Sequence, residues 1–314
     1  MSIPQPPRAA TKRKDREKLP GACVDVIREF DPWRDPLCTC PKKLGFNPYT
    51  GCAFRCTYCY ITSYIPRAFE CRTKKNLVAR VEHDLERIDK DLLISMSNSS
   101  DPYPPMEAKL KLTRACLELF LRKNFRIQII TKSKLVVRDI DLLSKMRCVV
   151  SFTVTTLNRS LSRKLEPGAP SPEKRLKAMK ELSNANVPTT LRLDPLIPGL
   201  NDAEIEQIAE KAASHGASHI TSSTFKPRPD SWRRVEKVFP ETAAELAPLY
   251  FERGKRHHNS WYLPRELRLQ LMKAVREACD KNGITFASCR EGLPELSSGG
   301  SCDGSHLLPI GKSG

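Results

Sequence analysis

The sequence predicts an α/β protein whose parallel strands form a partial (β/α)6 barrel of the TIM type, with extensions at both ends of the chain. Short runs that are β-branched or wholly apolar have the composition of strands buried on both faces. Stretches with helical periodicity alternate with these runs, and several open at a capping residue or a proline, as at Ser171 and Pro172. This alternation indicates parallel strands joined by crossover helices. Six such units fit a partial barrel better than a closed barrel of eight, and a doubly wound sheet is the alternative.

The elements follow from these patterns in order along the chain. The predicted strands are residues 44–47, 92–97, 125–131, 148–156, 189–195 and 218–224. The predicted helices are residues 76–90, 106–123, 137–146, 171–186 and 202–215. Beyond residue 225 the pattern changes to basic, aromatic-containing helical stretches, a long helix near 263–282 and a short apolar run at 284–288.

These boundaries predict four parts of the chain. Residues 1–20, rich in Pro, Lys and Arg and poor in large apolar groups, are expected to form a disordered basic arm. An N-terminal extension follows at 21–43 and the barrel core at 44–225. Residues 226–314 are expected to form a mostly helical extension that covers the barrel.

The composition is that of a soluble globular protein, with 39% hydrophobic and 28% charged residues among 314. No run reaches the roughly 18 apolar residues of a membrane span, and the N-terminal residues lack the apolar middle of a signal peptide. We therefore expect a cytoplasmic protein with no membrane partner. In that compartment its twelve cysteines should be reduced, which favours metal binding, catalysis or burial over disulfides.

The charge balance and two basic segments suggest a nucleic-acid partner. Lys and Arg number 53 against 36 Asp and Glu, a net charge of +17 that should attract polyanions. In the segments 225–237 and 253–265, basic residues interleave with Trp232, Trp261 and Tyr262, whose rings could stack on an extruded base. The alternative is a solvated basic surface with the aromatic rings turned inward.

The strongest motif is GCAFRCTYCY, residues 51–60, which places Cys52, Cys56 and Cys59 in one loop. Thiolates are the ligands of iron-sulfur clusters and of zinc. Three ligands are one fewer than a closed structural site needs, whereas a catalytic metal keeps one coordination position open. The spacing therefore predicts an open metal site.

The C-x3-C-x2-C spacing, with an aromatic residue before the third cysteine and a position after the first strand of a βα series, resembles the radical S-adenosylmethionine (SAM) superfamily. The wider stretch NPYTGCAFRCTYCY resembles the branch related to spore photoproduct lyase, often labelled DNA repair photolyase-like, and the likeness extends from about Pro36 to His306. The resemblance implies that the three cysteines hold three irons of a 4Fe-4S cluster and that SAM chelates the fourth iron. It further implies reductive cleavage of SAM, hydrogen abstraction by the 5′-deoxyadenosyl radical, and an electron donor such as ferredoxin or flavodoxin.

The same resemblance suggests groups that bind SAM. The motif SNSSDPY occupies the place where the family receives the SAM ammonium, so Ser99, Ser100 and Asp101 are candidates, and a helix-opening turn is the alternative. In LIPGLND, Gly199 would let the backbone approach the adenine, and Asp202 is the acidic member of the motif. Asp202 is equally suited to be a helix N-cap.

Further candidates lie in or at the ends of the later strands. Lys132 ends the third predicted strand, Thr155 and Thr156 end the fourth, and Arg192 lies in the fifth. Ligands of such barrels bind at the carboxyl ends of strands, so these side chains should face the cavity for SAM and substrate. Tyr58, between two cysteines, would pack against the cluster or the adenine, or else be an ordinary packing tyrosine.

Four other cysteines lie in two loop-like segments: Cys38 and Cys40 in the first, Cys289 and Cys302 in the second. They could meet as ligands of an auxiliary metal centre. They could also be structural or solvent-facing thiols, or one could donate a hydrogen atom to a substrate radical.

Three functions are thus left open. The first is radical SAM chemistry that repairs or modifies DNA or RNA. The second is the same chemistry on a protein, a peptide or a small metabolite. The third is an iron-sulfur protein that binds nucleic acid without catalysis.

Overall fold

The computed structural model describes residues 25–30, 35–96 and 99–308, and the predicted basic arm at 1–20 lies outside them. The described residues form ten strands: β1 (Ile27–Glu29), β2 (Lys43–Phe46), β3 (Leu93–Met96), β4 (Arg126–Thr131), β5 (Arg147–Thr153), β6 (Thr189–Leu196), β7 (Ala217–Thr224), β8 (Lys255–His257), β9 (Ser260–Tyr262) and β10 (Thr285–Ser288). Eight of them form one open sheet in the order β1-β2-β3-β4-β5-β6-β7-β10. All neighbours are parallel except β1, which pairs antiparallel with β2. The predicted α/β fold with an unclosed parallel sheet is confirmed.

Helices connect these strands, as the alternation predicts. They are α1 (Leu77–Leu85), α2 (Glu107–Leu110), α3 (Leu112–Arg122), α4 (Ile140–Leu143), α5 (Arg159–Leu165), α6 (Pro172–Asn184), α7 (Ile205–Ser214), α8 (Pro229–Val238), α9 (Pro240–Phe251) and α10 (Arg265–Lys281). The predicted helix at 106–123 is two helices, because Lys111 adopts a left-handed conformation between them. The short helix α5 was not predicted, and the Asn158 side chain caps it by accepting the N–H groups of Ser160 and Leu161.

The C-terminal part differs from the helical pattern expected there in two places. The run at 284–288 forms β10, which extends the barrel sheet as a seventh parallel strand beside β7. Residues 255–262 form the antiparallel hairpin β8–β9, turning at His258, which has a φ of 52°.

The main core lies where the parallel strands pack against the helices. Ile94, Ile127, Val150, Leu191 and Ile220, one from each of five consecutive strands, are fully buried in the same cluster. Parallel sheets covered on both faces require such apolar strands. Within the described residues, no helix has both the length and the apolar composition needed to cross a lipid bilayer.

Candidate functional site

A cavity of about 990 Å³ opens where the parallel strands end. Its lining includes Asn47 just after β2, Lys132 just after β4, Thr153 at the end of β5, Ser223 in β7 and Cys289 just after β10. These positions are the carboxyl ends of the strands, the edge at which barrels of this kind bind ligands. The cavity therefore lies at the edge of the sheet where the sequence predicts ligand binding.

Cys52, Cys56 and Cys59 all line this cavity. Backbone hydrogen bonds fix their loop: the Cys52 N–H donates to Ala68 O at 2.7 Å, and the Thr57 N–H donates to Leu165 O, at the end of α5, at 2.8 Å. The Cys59 N–H donates to Cys56 O at 3.1 Å, which closes the turn between the two cysteines.

Two glycines let this loop lie against its neighbours. A Cβ on Gly51, which has a φ of +75°, would lie 2.3 Å from Glu70 O. A Cβ on Gly168 would lie 2.4 Å from Ala53 O, and the Gly168 N–H donates to Phe54 O at 3.0 Å. Both positions therefore require glycine. Gly168 was missed by sequence reasoning, because it lies more than 100 residues from the loop that it supports.

The three thiols lie in a desolvated environment that disfavours their free anions. Burial raises the pKa of Cys52 to about 12, and it also raises the pKa values of Cys56 and Cys59. The Lys132 ammonium opposes this effect at Cys56 and Cys59. A bound metal would stabilise the thiolates, and three soft sulfur donors on one loop fit an iron-sulfur cluster with one iron left open.

A buried charge cluster lies behind the loop. The Tyr58 hydroxyl donates to Glu166, which also lies 2.5 Å from Arg175 Nη1 and 3.8 Å from Lys132 Nζ. Although burial alone would raise it, Arg175 and Lys132 hold the pKa of Glu166 below its usual range. Tyr58 and Lys132 line the cavity as expected. Glu166 and Arg175 were not predicted, since no local pattern marks a buried ion pair.

The candidates for the SAM ammonium also line the cavity. The Ser99 N–H donates to Asn47 Oδ1 at 3.0 Å, and the Ser100 hydroxyl donates to Tyr49 O at 3.1 Å. Asp101 accepts three hydrogen bonds, from Tyr103 N–H, Thr131 Oγ1 and Lys132 N–H, all at 2.8–2.9 Å. Burial raises the pKa of Asp101. A carboxylate has about four acceptor positions, so Asp101 retains one for a ligand.

The candidates from β5 and β6 divide into two groups. Arg192 lines the cavity and pairs with Asp194 at 2.7 Å. Thr155 and Thr156 are buried outside the cavity lining, where Thr156 donates to Glu204. Thr153, two residues earlier, is the β5 residue that reaches the cavity. The predicted strand end was too late, because β5 stops at Thr153 and the next residues enter the turn before α5.

Gly199 and Asp202 form a turn outside the cavity lining. The Gly199 N–H donates to Asp202 Oδ1 at 2.8 Å, and Gly199 has a φ of +78°. The alternative role of Asp202 as a helix N-cap is wrong, because Asp202 is the first residue of a 3-10 turn whose N-cap is Asn201, and its carboxylate accepts from the residue upstream instead of from the turn. The buried residue that orders the segment is Asn201, whose amide donates to Thr155 O at 2.7 Å and to Pro195 O at 3.0 Å.

The rings of the two basic segments do not form the exposed aromatic surface that the sequence predicts. Trp232 and Tyr262 are each 3% exposed, and Trp261 packs edge-on against Phe251, so these rings are turned inward. Tyr60 and Tyr64 are instead 46% and 50% exposed and line the cavity. The Arg228 guanidinium lies 5.6 Å and 5.8 Å from the centres of these two rings. We call these three residues the Tyr60–Tyr64–Arg228 patch.

The other four cysteines are also brought together. Cys40, Cys289 and Cys302 line the same cavity, and Cys302 Sγ lies 3.1 Å from Cys40 Sγ. The Cys38 thiol interacts with Cys40. The two loop-like segments that carry these thiols therefore meet at the cavity wall.

Comparisons with solved structures show the fold. A spore photoproduct lyase variant with bound AdoMet and dinucleoside spore photoproduct matches 81% of this chain and 79% of its own, with 18% identity and a TM-score of 0.60.

Two curated proteins are similar in sequence. An uncharacterised protein of Methanocaldococcus jannaschii is 34% identical over 171 residues, 52% of this chain and 63% of its own length. A radical SAM Nalpha-GlyT isomerase of Pseudomonas phage M6 is 24% identical over 78% of this chain and 53% of its own length.

The family model of the radical SAM superfamily matches residues 46–212. That stretch covers more than half of the 314 residues and contains the cysteine loop together with strands β3 to β6. The chain therefore belongs to the radical SAM superfamily.

Proposed function

We propose that the chain binds a 4Fe-4S cluster through Cys52, Cys56 and Cys59, binds SAM beside it, and abstracts a hydrogen atom from a nucleic-acid substrate. The observation that carries the proposal is the position of three thiols, from one loop, on the wall of a 990 Å³ cavity at the carboxyl ends of the strands. When bound, the cluster would supply the electron that cleaves SAM. The chain would hold the cluster, orient both ligands and exclude water.

The groups that would receive SAM lie beside the cysteine loop. Ser99, Ser100 and Asp101 present hydroxyl, backbone and carboxylate oxygens to the cavity. A buried ammonium needs such acceptors. Across the cavity, Arg192 provides a guanidinium for a carboxylate or phosphate and is itself oriented by Asp194.

The charge of the cavity supports an anionic substrate. Nine Lys and Arg residues line it against five Asp and Glu residues. Among the described residues, Arg228 has no carboxylate partner, and it lies over two exposed tyrosine rings at the cavity wall. A guanidinium for a phosphate beside rings for a base is the combination that binds single-stranded or extruded nucleotides. The bound dinucleoside photoproduct of the spore photoproduct lyase variant supports the same substrate class.

SAM cleavage tests the first half of the proposal. Anaerobically reconstituted, reduced protein should form 5′-deoxyadenosine, and Cys52→Ala, Cys56→Ala and Cys59→Ala should each abolish it. Cys71→Ser, which changes a partly buried thiol outside the cavity lining, is the matched control and should retain activity. Nucleic-acid binding without 5′-deoxyadenosine in the unmodified protein would support the non-catalytic alternative.

Isotope transfer tests the substrate. Reduced enzyme would be incubated with deuterated SAM and total cellular nucleic acid, and deuterium should appear in nucleosides. Label in proteins or metabolites would favour the second hypothesis.

Binding variants locate the interface. Arg228→Gln should lower the slope of log affinity against log salt by about one, the value for one lost phosphate contact. Arg233→Gln changes an exposed arginine of the same helix region outside the cavity lining and should leave the slope unchanged. Tyr60→Leu should weaken binding by about 1–3 kcal/mol, the contribution of one stacked base. Equal effects of Arg228→Gln and Arg233→Gln would show that the charge acts non-specifically.

A further inference from the structure

Two histidines and an aspartate form a group of metal-ligating side chains outside the cavity lining. His257 ends β8, His258 is the first residue of the turn to β9, and Asp35 lies in the segment before β2. Asp35 Oδ2 lies 3.2 Å from His257 Nε2 and 3.8 Å from His258 Nε2. One ligand atom from each of the three side chains lies within 4.8 Å of the other two. We call these residues the Asp35–His257–His258 group.

We propose that the Asp35–His257–His258 group binds one zinc ion. Imidazole nitrogens and carboxylate oxygens are ligands of zinc, and a site with three protein ligands leaves a fourth position for water. The inference goes beyond the proposed function and does not depend on it, because these residues lie outside the cavity and share no ligand with the three-cysteine loop.

The distances in the group fit one zinc ion. With bonds of about 2.0–2.2 Å to nitrogen and oxygen, tetrahedral geometry separates two ligand atoms by about 3.4 Å. The two distances from Asp35 Oδ2, 3.2 Å and 3.8 Å, lie on either side of that value. The thiols of Cys38, Cys40, Cys289 and Cys302, all in the described part of the chain, are more widely spaced, because no three of their sulfur atoms lie within 4.8 Å of one another. Those four thiols therefore do not surround a single metal ion.

The backbone conformation of His258 brings both imidazoles to one side of the hairpin. Consecutive residues of a regular strand face opposite sides. His258 instead has a left-handed φ of 52°, and the centres of the His257 and His258 rings lie 4.4 Å apart. At 3.8 Å from Asp35 Oδ2, His258 Nε2 is too far away for a hydrogen bond. A hydrogen bond between His257 and Asp35 does not need the second imidazole, whereas a metal ion would use it.

Neighbouring groups orient the Asp35 carboxylate. The Leu37 N–H donates to Asp35 Oδ1 at 2.9 Å, and the Arg290 guanidinium donates to Oδ2 at 2.8 Å. Hydrogen bonds of this kind hold metal ligands in place. Each carboxylate oxygen has two acceptor positions, so Oδ2 keeps one for the metal. Because the charge of Arg290 repels a cation, we expect zinc that exchanges with chelators.

A zinc ion in this group would join two distant parts of the chain, the β8–β9 hairpin and the segment before β2. The same hairpin contacts the Tyr60–Tyr64–Arg228 patch, because Arg228 Nε donates to Ser260 Oγ at 3.4 Å. The metal would therefore stabilise the hairpin against which Arg228 rests.

Zinc titration tests the proposal in a full-length chain with alanine at all three cysteines of the loop. The reduced, metal-free protein would compete for zinc with a chromophoric chelator. His257→Gln keeps a hydrogen-bond donor for Asp35 but removes the imidazole, and it should weaken one zinc site at least about tenfold. His258→Gly should have the same effect on zinc without destabilising the metal-free chain, because glycine adopts a left-handed φ readily.

The matched control is His83→Gln, which should leave zinc binding unchanged. His83 is exposed and lies 3.8 Å from an oxygen of Asp84, but among the described residues no third ligand atom completes a set there. Equal zinc binding by His257→Gln and His83→Gln would overturn the proposal.

Protection of individual histidines is a second measurement, made on the unmodified chain. Diethyl pyrocarbonate should acylate His258, which is 72% exposed, and zinc should slow this reaction several-fold while His83 reacts as before. Acylation of His258 at the same rate with and without zinc would also overturn the proposal. None of these outcomes bears on the formation of 5′-deoxyadenosine, so this proposal and the proposed function can fail separately.

Discussion

The two thiol groups of this molecule lie at one cavity, which Cys38 alone among their cysteines does not line, but they are built differently. The first takes Cys52, Cys56 and Cys59 from a single loop of the chain, whereas the second takes cysteines from Cys38 to Cys302. The first loop is positioned by backbone hydrogen bonds and by glycines that allow close approach. The second group is positioned by ion pairs between segments far apart in sequence.

This difference shows how a cavity can combine a local site with an assembled one. A local site keeps its geometry as long as its loop stays packed against its neighbours, because all its ligands belong to that loop and move together. An assembled site depends on the whole sheet, because its ligands meet only when β2 and β10 are both in place. Substitutions that remove one support should therefore affect the two groups separately.

The largest effect is expected from Glu166→Gln, behind the first group. The substitution leaves Arg175, which is fully buried, without its counter-charge and removes the carboxylate that pairs with Lys132. Breaking a buried pair in this way costs about 3–5 kcal/mol. Unfolding in urea would measure the loss, and iron binding by the reconstituted protein should fall because the Tyr58 hydroxyl beside the cysteines exchanges a carboxylate acceptor for a weaker, neutral amide oxygen.

The matched control for this substitution is Glu173→Gln, which removes a glutamate paired with Arg159 at the surface. An exposed pair contributes about 0–1 kcal/mol. The double variant Glu166→Gln, Arg175→Met removes both charges and should recover much of the stability. Equal losses for Glu166→Gln and Glu173→Gln would contradict a support role for the buried cluster.

The next effect is expected from Lys43→Met, at the second group. The substitution leaves the buried Asp303 carboxylate without its cationic partner, and the Ser305 N–H, which donates to it at 3.0 Å, still stabilises it in part. We expect the free energy of unfolding, measured in urea, to fall by about 3 kcal/mol, which is the lower end of the range for removing one partner of a buried ion pair. Lys281→Met, at the exposed pair with Glu206, is the control and should change stability by about 1 kcal/mol or less. Loss of iron from the first group, with no more loss of stability than in Lys281→Met, would contradict the assignment of Lys43 to the second group.

The same contrast explains what could be predicted from the sequence. Six strands and the cysteine loop depend on local patterns, so their positions were predicted to within a few residues. Sequence patterns did not reveal the roles of Gly168, Glu166 and Asn201. These residues act through partners distant in sequence or through backbone atoms, and contacts of either kind leave no local pattern in the sequence. Which face an aromatic ring presents is also decided by tertiary packing, and so Trp232 is buried while Tyr60 is exposed.

A smaller effect is expected from Gly51→Ala in the first loop. Alanine at a left-handed φ costs about 1–2 kcal/mol by itself, and overpacking against Glu70 O should add about 1–3 kcal/mol. Gly283→Ala is a control for the first cost alone, because Gly283 has a φ of +66° and a Cβ added there would have no atom within 4 Å. A larger loss of stability for Gly51→Ala than for Gly283→Ala, together with reduced iron binding, would show that the loop needs close contact with Glu70 O to hold its position. Equal losses of stability for the two variants would show that only the backbone conformation of Gly51 matters.

The smallest effect on stability is expected from Arg290→Gln, which breaks the pair between Arg290 and Asp35. The two side chains are 30% and 9% exposed, so the loss should be about 1 kcal/mol or less. The pair nevertheless fixes Cys289 relative to the segment of Cys38 and Cys40, so a thiol reagent should modify Cys289 several-fold faster than in the unmodified chain. Arg265→Gln, at an exposed pair with Glu295, is the control and should alter neither quantity. Unchanged reactivity of Cys289 in Arg290→Gln would mean that the second group does not depend on this ion pair, and that Lys43 and Asp303 suffice to assemble it.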